Sequence, residues 1–205
     1  MAKSVHDLDN ILKKGEDFIL SGKIISFPTE SFYALGADAT NDEAVQRLFT
    51  LKNRQRNVPV LILIGAKQQL PLYAADIPDC TDALIDTFWP GSLTLIFKAK
   101  KSVSPFLTAG TGKIGIRLSS HPIPCTLIEM AGVPLTGTSA NLSGKPPCKT
   151  AQEVIKVFGN RVDLVIDGGQ TEAKAPSTVL DLTVDPPQVL RHGMVTEDRI
   201  KAALA

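Results

Sequence analysis

Residues 60 to 64 read Val-Leu-Ile-Leu-Ile, apolar at every position, and this run constrains the fold more than any other. A strand with one solvated face alternates apolar with polar side chains, whereas a strand covered on both faces is apolar throughout. The run therefore predicts a central strand inside a layered fold. Further strand-like runs, each with polar residues among the apolar ones or only three or four residues long, recur at 23 to 27, 92 to 97, 114 to 118, 135 to 138, 164 to 166, 178 to 182 and 189 to 191. Between them lie stretches of helical periodicity. Val5, Leu8, Ile11, Leu12 and Ile19 share one helical face, and Gly22 follows where a left-handed C-terminal cap is wanted, which predicts a helix over 6 to 21. Asn41 is placed to cap a helix whose apolar face carries Ala44, Val45, Leu48 and Leu51. Further helices are expected near 66 to 75, 80 to 88, 124 to 131, 150 to 158 and 196 to 204. The segment from 28 to 39 reads as a loop.

Strands and helices alternate irregularly, so the expected fold is α/β with one mixed, twisted, open sheet flanked by helices rather than a doubly wound parallel one. One core can serve 205 residues, and no Gly/Ser-rich or Pro-rich linker interrupts them, so residues 1 to 205 are read as a single domain. With 22 Lys+Arg against 21 Asp+Glu, the chain has no global field of the kind that marks a general binder of nucleic acid or membrane surface. No apolar run follows Lys3, and no stretch approaches about 18 uninterrupted apolar residues. A cytoplasmic protein without membrane contact is expected. Cys80, Cys125 and Cys148 are widely spaced with no C-x-x-C, and His6, His121 and His192 are equally scattered. Such spacing suits reduced thiols and predicts no protein-bound metal.

Gly110-Thr111-Gly112-Lys113-Ile114-Gly115 satisfies G-x-G-x-x-G but fails on context. A dinucleotide turn must open a helix whose N-terminus meets the pyrophosphate, and the residues that follow read as a strand. No Walker motif is present either. What remain are polar, glycine-rich segments at the ends of predicted strands, where open α/β sheets place ligands. They lie at 28 to 39, 51 to 59, 88 to 96, 115 to 122, 138 to 144, 175 to 182 and 189 to 193. Together they supply hydroxyls, backbone amides and cations suited to phosphates and a carboxylate.

The ordered succession P-T-E-S-x-Y-x-L-G, K-x-R, W-P-G-S-L-T, G-I-R, H-P, T-S-A-N-x-S-G, P-S-T-V-x-D and L-R-x-G closely resembles the YrdC/TsaC family of threonylcarbamoyl-AMP synthases, from about residue 14 to 204. The resemblance implies the short, one-domain form and ATP-dependent synthesis of threonylcarbamoyl-AMP from L-threonine and bicarbonate, with pyrophosphate released. It implies magnesium on the ATP and tRNA-modification proteins as downstream partners, and it admits tRNA or double-stranded RNA as a further one. By the same resemblance Ser31, with Thr29 in the same turn, Arg117 and Ser177 would meet threonine, Arg117 on its carboxylate. Lys52 and Arg54 would serve the ATP phosphates and the reaction centre. Ser139, Asn141 and Arg191 would face the nucleotide. Three positions depart from the family pattern: Gln55 replaces a usual Pro, Val58 a usual Asn or Lys, and Leu63 a His found in many long members. Two other readings stay open, a carbamoyl-adenylate-forming sibling that uses carbamoyl phosphate and a non-catalytic RNA-binding module.

Overall fold

The chain runs α1 (Val5–Leu20), β1 (Ile25–Phe27), β2 (Ala34–Gly36), α2 (Asp42–Lys52), β3 (Ile62–Ile64), α3 (Leu70–Tyr73), β4 (Ala74–Ala75), α4 (Thr81–Phe88), β5 (Leu93–Ala99), α5 (Pro105–Thr108), β6 (Lys113–Leu118), α6 (Pro122–Ala131), β7 (Leu135–Thr136), β8 (Thr138–Ser139), α7 (Ala151–Phe158), β9 (Leu164–Val165), β10 (Thr178–Asp181), β11 (Gln188–Arg191) and α8 (Glu197–Leu204). This is a computed structural model that describes the backbone from residue 5 and the side chains from residue 7 onward. Lys3 and its neighbours, and the side chains of Val5 and His6, lie outside the described residues.

Pairing is mixed, as expected, but the strands divide between two sheets. One has the order β8-β2-β1-β9, and the other β11-β10-β5-β6-β3-β7 with β4 on β5. The segment 135 to 138, read above as one strand, is where the chain changes sheet: β7 pairs with β3, and β8 pairs with β2. Gly137 stands at the crossing, and a Cβ there would lie 2.5 Å from Leu61 Cδ1 and 2.9 Å from Leu63 Cγ. A sheet change leaves no trace in hydrophobic periodicity, which reports burial but not the partner strand. Thr136 stitches the seam, since its amide donates to Ala37 O and its Oγ1 accepts from Ala37 N at 3.0 Å. Residues 28 to 39 are likewise not all loop: β2 turns back antiparallel on β1, with Phe27 opposite Ala34.

The apolar run is the central strand it promised to be. β3 lies between β6, parallel, and β7, antiparallel. Ile62 and Ile64 face the larger hydrophobic core, and Leu63 faces a second one built with Leu12, Ile19, Leu127 and Ile128. The strand is shorter than the run because the amide of Val60 is spent on Leu107 O. The stretch near 66 to 75 holds a 3₁₀ turn at Lys67–Gln69, then α3 and β4. Among the described residues no helix is long and apolar enough to cross a membrane.

Local chemistry fixes where α2 begins and ends. Asn41 Oδ1 accepts from the amides of Glu43 and Ala44 at 3.1 Å, which starts the helix. Asn53 ends it in the left-handed region at φ 49°, so Lys52 is the last helical residue and Arg54 starts the loop. At the β11 edge of the larger sheet Gly193 lets the chain close on the segment before β10: a Cβ there would sit 2.2 Å from Pro176 O. That contact is with backbone and has nowhere to yield. Gly193→Ala is therefore expected to cost about 1–3 kcal/mol, as overpacking does, read as a lowered urea midpoint with an unchanged m-value.

Candidate active site

A cavity of about 440 Å³ opens where the two sheets meet, walled by the β1–β2 turn, the loop after α2, β5, β6, β8, the segment before β10, and β11. Of the residues singled out above, Thr29, Ser31, Arg54, Arg117, Ser139, Ser177 and Arg191 line it. Lys52 and Asn141 do not. They line an adjoining hollow of about 480 Å³ that shares Arg54 and Ser139 with the cavity. Three guanidiniums thus reach the cavity wall, and among the described residues no acidic one lines it. Leu61, Ile96 and Val179 add apolar surface to the lining.

The β1–β2 turn is made by Thr29, whose Oγ1 donates to Phe32 O at 2.8 Å and accepts from the amide of Ser31 at 3.1 Å. This turn fixes Ser31, whose hydroxyl is buried with no hydrogen-bond partner. Arg117, on β6, is 5 % exposed. Its Nη1 lies 3.3 Å from Glu30 Oε1, and its Nε has no partner. Burial pushes its pKa down, and the charge of Glu30 offsets part of that. A buried donor left unpaired costs about 1–3 kcal/mol, so Ser31 Oγ and Arg117 Nε mark a place for a polar ligand.

The other two arginines are held by carbonyls. Arg54 donates from Nε to Val58 O at 3.2 Å and from Nη2 to Pro59 O at 2.6 Å. Arg191 donates from Nε and Nη2 to Ser177 O at 3.0 and 2.8 Å, and from Nη2 to Ser177 Oγ at 2.9 Å. Ser177 Oγ also pairs with Thr94 Oγ1 at 3.1 Å. Burial, then the charges of Arg117 and Arg54, lowers the pKa of Arg191. Arg191 is thus repelled by both other cations across the space they surround, and an anion entering it relieves that repulsion.

Lys52 is 1 % exposed. Its ammonium donates to Ser139 O, to Asn141 O at 2.8 Å and to Asn141 Oδ1 at 3.1 Å, so its three N–H groups all go to one loop. Burial, with the charge of Arg54 second, brings its pKa down to about 7. Asn141 is fastened further: Oδ1 accepts from Ser139 Oγ at 2.6 Å, and Nδ2 donates to Lys145 O at 2.6 Å. Of the three departures, Gln55 and Val58 line the adjoining hollow. Leu63 is opposite Arg117 in the ladder but is buried in the core and does not line the cavity.

The residues that motif reading passed over are Glu30 and Thr94. Both stand inside segments already singled out, and Thr94 carried the further signal of a polar residue set between Leu93 and the apolar run Leu95-Ile96-Phe97. The glycine-rich decoy does feed a strand: Gly112 precedes β6, and Gly115 lies within it beside the cavity.

A family model described as Telomere recombination, for Sua5/YciO/YrdC, matches residues 17–193. A threonylcarbamoyl-AMP synthase of Pyrococcus abyssi is 38% identical over 187 residues, 91% of this chain and 55% of that protein. The one of Photobacterium profundum is 35% identical over 188 residues, 91% of this chain and 100% of that protein. The chain thus spans about half the length of the first relative and all of the second. A crystal structure of P. abyssi Sua5 complexed with L-threonine superposes with a TM-score of 0.92 at 38% identity, covering 94% of this chain and 56% of that one.

The three-point fastening of Lys52 makes it a structural element of the adjoining hollow whatever else it does. Lys52→Met keeps most of the stem but removes the donor to Asn141 O and two of the hydrogen bonds that fasten Ser139 O and Asn141 Oδ1, which keep the Asn141 amide and Ser139 Oγ. It is expected to destabilise the fold by roughly 1–3 kcal/mol and to raise amide exchange at residues 139 to 145, measured by urea unfolding and hydrogen exchange.

Proposed function

The chain belongs to the Sua5/YciO/YrdC family, and from that premise we propose that it condenses L-threonine, bicarbonate and ATP into L-threonylcarbamoyl-AMP with release of pyrophosphate. The product is an activated precursor for the threonylcarbamoyladenosine modification of tRNA, to be passed to tRNA-modification proteins. One observation carries the reading beyond family membership. Ser31 Oγ and Arg117 Nε, both buried and both unpartnered, belong to residues lining the cavity that three guanidiniums surround. An amino acid carries what those groups lack, a carboxylate for the guanidinium edge and, in threonine, a hydroxyl for the turn.

In this mechanism Arg117 takes the threonine carboxylate, with Ser31, Thr29 and Ser177 around the rest of the amino acid. The free amine adds to carbon dioxide derived from bicarbonate, forming an N–C bond and losing a proton to give a carbamate. A carbamate oxygen then attacks the α-phosphorus of ATP. The new O–P bond forms as the P–O bond to pyrophosphate breaks. The carbamate and the ATP phosphates are all anionic, so the protein's work is to bring them together and hold positive charge where they meet. Arg54 stands between the cavity and the adjoining hollow and supplies that charge at the phosphates. Lys52 acts with it from the hollow, where Ser139 and Asn141 receive the nucleotide, and Arg191 meets the nucleotide from the β11 side. Magnesium arrives with the substrate, on the ATP phosphates.

Pyrophosphate release is expected only when threonine and bicarbonate are both present, because neither alone forms the attacking carbamate. Labelled threonine should appear in an adenylate. Turnover with carbamoyl phosphate in place of both would assign the chain to the sibling chemistry instead.

Arg54→Ala is expected to lower the rate of adenylate formation at saturating substrates by about 10²–10³-fold, as loss of one preorganised charge stabiliser does. Arg56 lies outside the cavity and the adjoining hollow, and Arg56→Ala should leave the rate close to that of the unaltered protein. A near-normal rate for Arg54→Ala, with its thermal melt unchanged, removes Arg54 from the chemistry.

A further inference from the structure

Glu30 is in the same turn as Thr29 and Ser31 but faces the other way. It lines a separate depression with Thr29 and His121, not the cavity itself. From there its carboxylate reaches Arg117 from behind. Oε1 is buried, accepts no hydrogen bond, and lies 3.3 Å from Arg117 Nη1. Oε2 accepts from Ser119 Oγ, which in turn accepts from the amide of His121 at 3.2 Å. The carboxylate is therefore clamped on one side by the loop after β6 and set against the guanidinium on the other.

We propose that Glu30 is a positioning residue that sets the substrate specificity of the site by holding the Nη1 end of Arg117 and so turning its Nε end to the ligand. A guanidinium offers its donors in a fixed planar fork, so fixing one end fixes the direction of the other. Without this partner Arg117 is a buried cation repelled by Arg191, and its orientation is set by repulsion rather than by attraction. Glu30 also limits the charge of the site. Among the described residues, Arg117 is the one of the three arginines that is ion-paired with a carboxylate. The pair carries no net charge, so what it offers a threonine carboxylate is a directed N–H donor rather than an unbalanced cation, while the other two arginines keep their charge for the polyphosphate. The inference rests on the proposed use of Arg117 for threonine.

The test is a kinetic double-mutant cycle on the full chain, reading KM for threonine and for ATP separately. Glu30→Gln keeps the shape and removes the charge. It is expected to raise the threonine KM about tenfold or more, the loss of one well-aligned charge-assisted contact, while leaving the ATP KM essentially unchanged. In an Arg117→Ala background the same change should have almost no further effect, because its only route is through Arg117. Ser119→Ala, which frees Oε2 without touching the charge, should raise the threonine KM less and in the same direction. It serves in place of Glu30→Gln if that variant does not fold. Equal rises in both KM values, an unchanged threonine KM, or full additivity in the Arg117→Ala background would each overturn the proposal. If the unaltered protein shows no threonine-dependent pyrophosphate release, the functional reading fails first and the role of Glu30 with it.

Discussion

The structure depends on how three guanidiniums, that of Arg117 buried, that of Arg54 half-buried and that of Arg191 more exposed, are kept facing one space. Removing a cation from water is costly, and each of Arg54, Arg117 and Arg191 shows that cost as a pKa pushed down chiefly by burial. The compensation differs among them. Arg54 and Arg191 are solvated by main-chain carbonyls, which are rigid and neutral. Arg117 has a carboxylate beside its Nη1 and a buried Nε without a hydrogen-bond partner. The arginine with the least complete set of partners is the one with the most to gain from a ligand. A site that is imperfect by folding criteria is the usual form of one built to bind.

The division into two sheets is what allows these groups to converge. Arg117 and Arg191 come from the larger sheet, Ser139 from the smaller, and Ser31 from the turn that joins the first two strands of the smaller one. The seam holds because Thr136 and Ala37 exchange hydrogen bonds and because Gly137 brings the chain close over Leu61 and Leu63. Lys52 then pulls the loop after β8 onto the end of α2. Its burial makes sense in those terms: a lysine at the end of a helix complements the macrodipole for about 0.3–1 kcal/mol, but here the ammonium is also enclosed and serves three oxygens of one loop.

Motif order alone makes the polar residues legible, since Thr29, Ser31, Arg54, Arg117, Ser139, Ser177 and Arg191 do meet at one cavity. Glu30 is not legible, although it stands between two of them. A carboxylate between two hydroxyl residues in a turn reads as solvated, and only the path of β6 shows that a guanidinium lies behind it. Lys52 and Asn141 are legible as a pair with Ser139 but not as a closed knot, because that knot joins residues more than eighty positions apart. The short strand β2 is hidden for another reason: its pairing with β1 is local, yet its flanking turn residues resemble those of a long loop.

By itself the sequence determined the alternation of helices and strands, the doubly covered central strand, the caps at Asn41 and Gly22, and which side chains carry charge and hydroxyls. These follow from propensity, periodicity and local hydrogen bonding, which act over a few residues. Only the tertiary structure decided that the strands form two sheets, that 135 to 138 crosses between them, that Lys52 turns inward while Arg54 lines the cavity, and that Glu30 backs Arg117. Each of those depends on which distant segment supplies the partner for a buried polar group or a strand edge. Such a partner is chosen by the free energy of the whole packed arrangement, to which no short window of sequence has access.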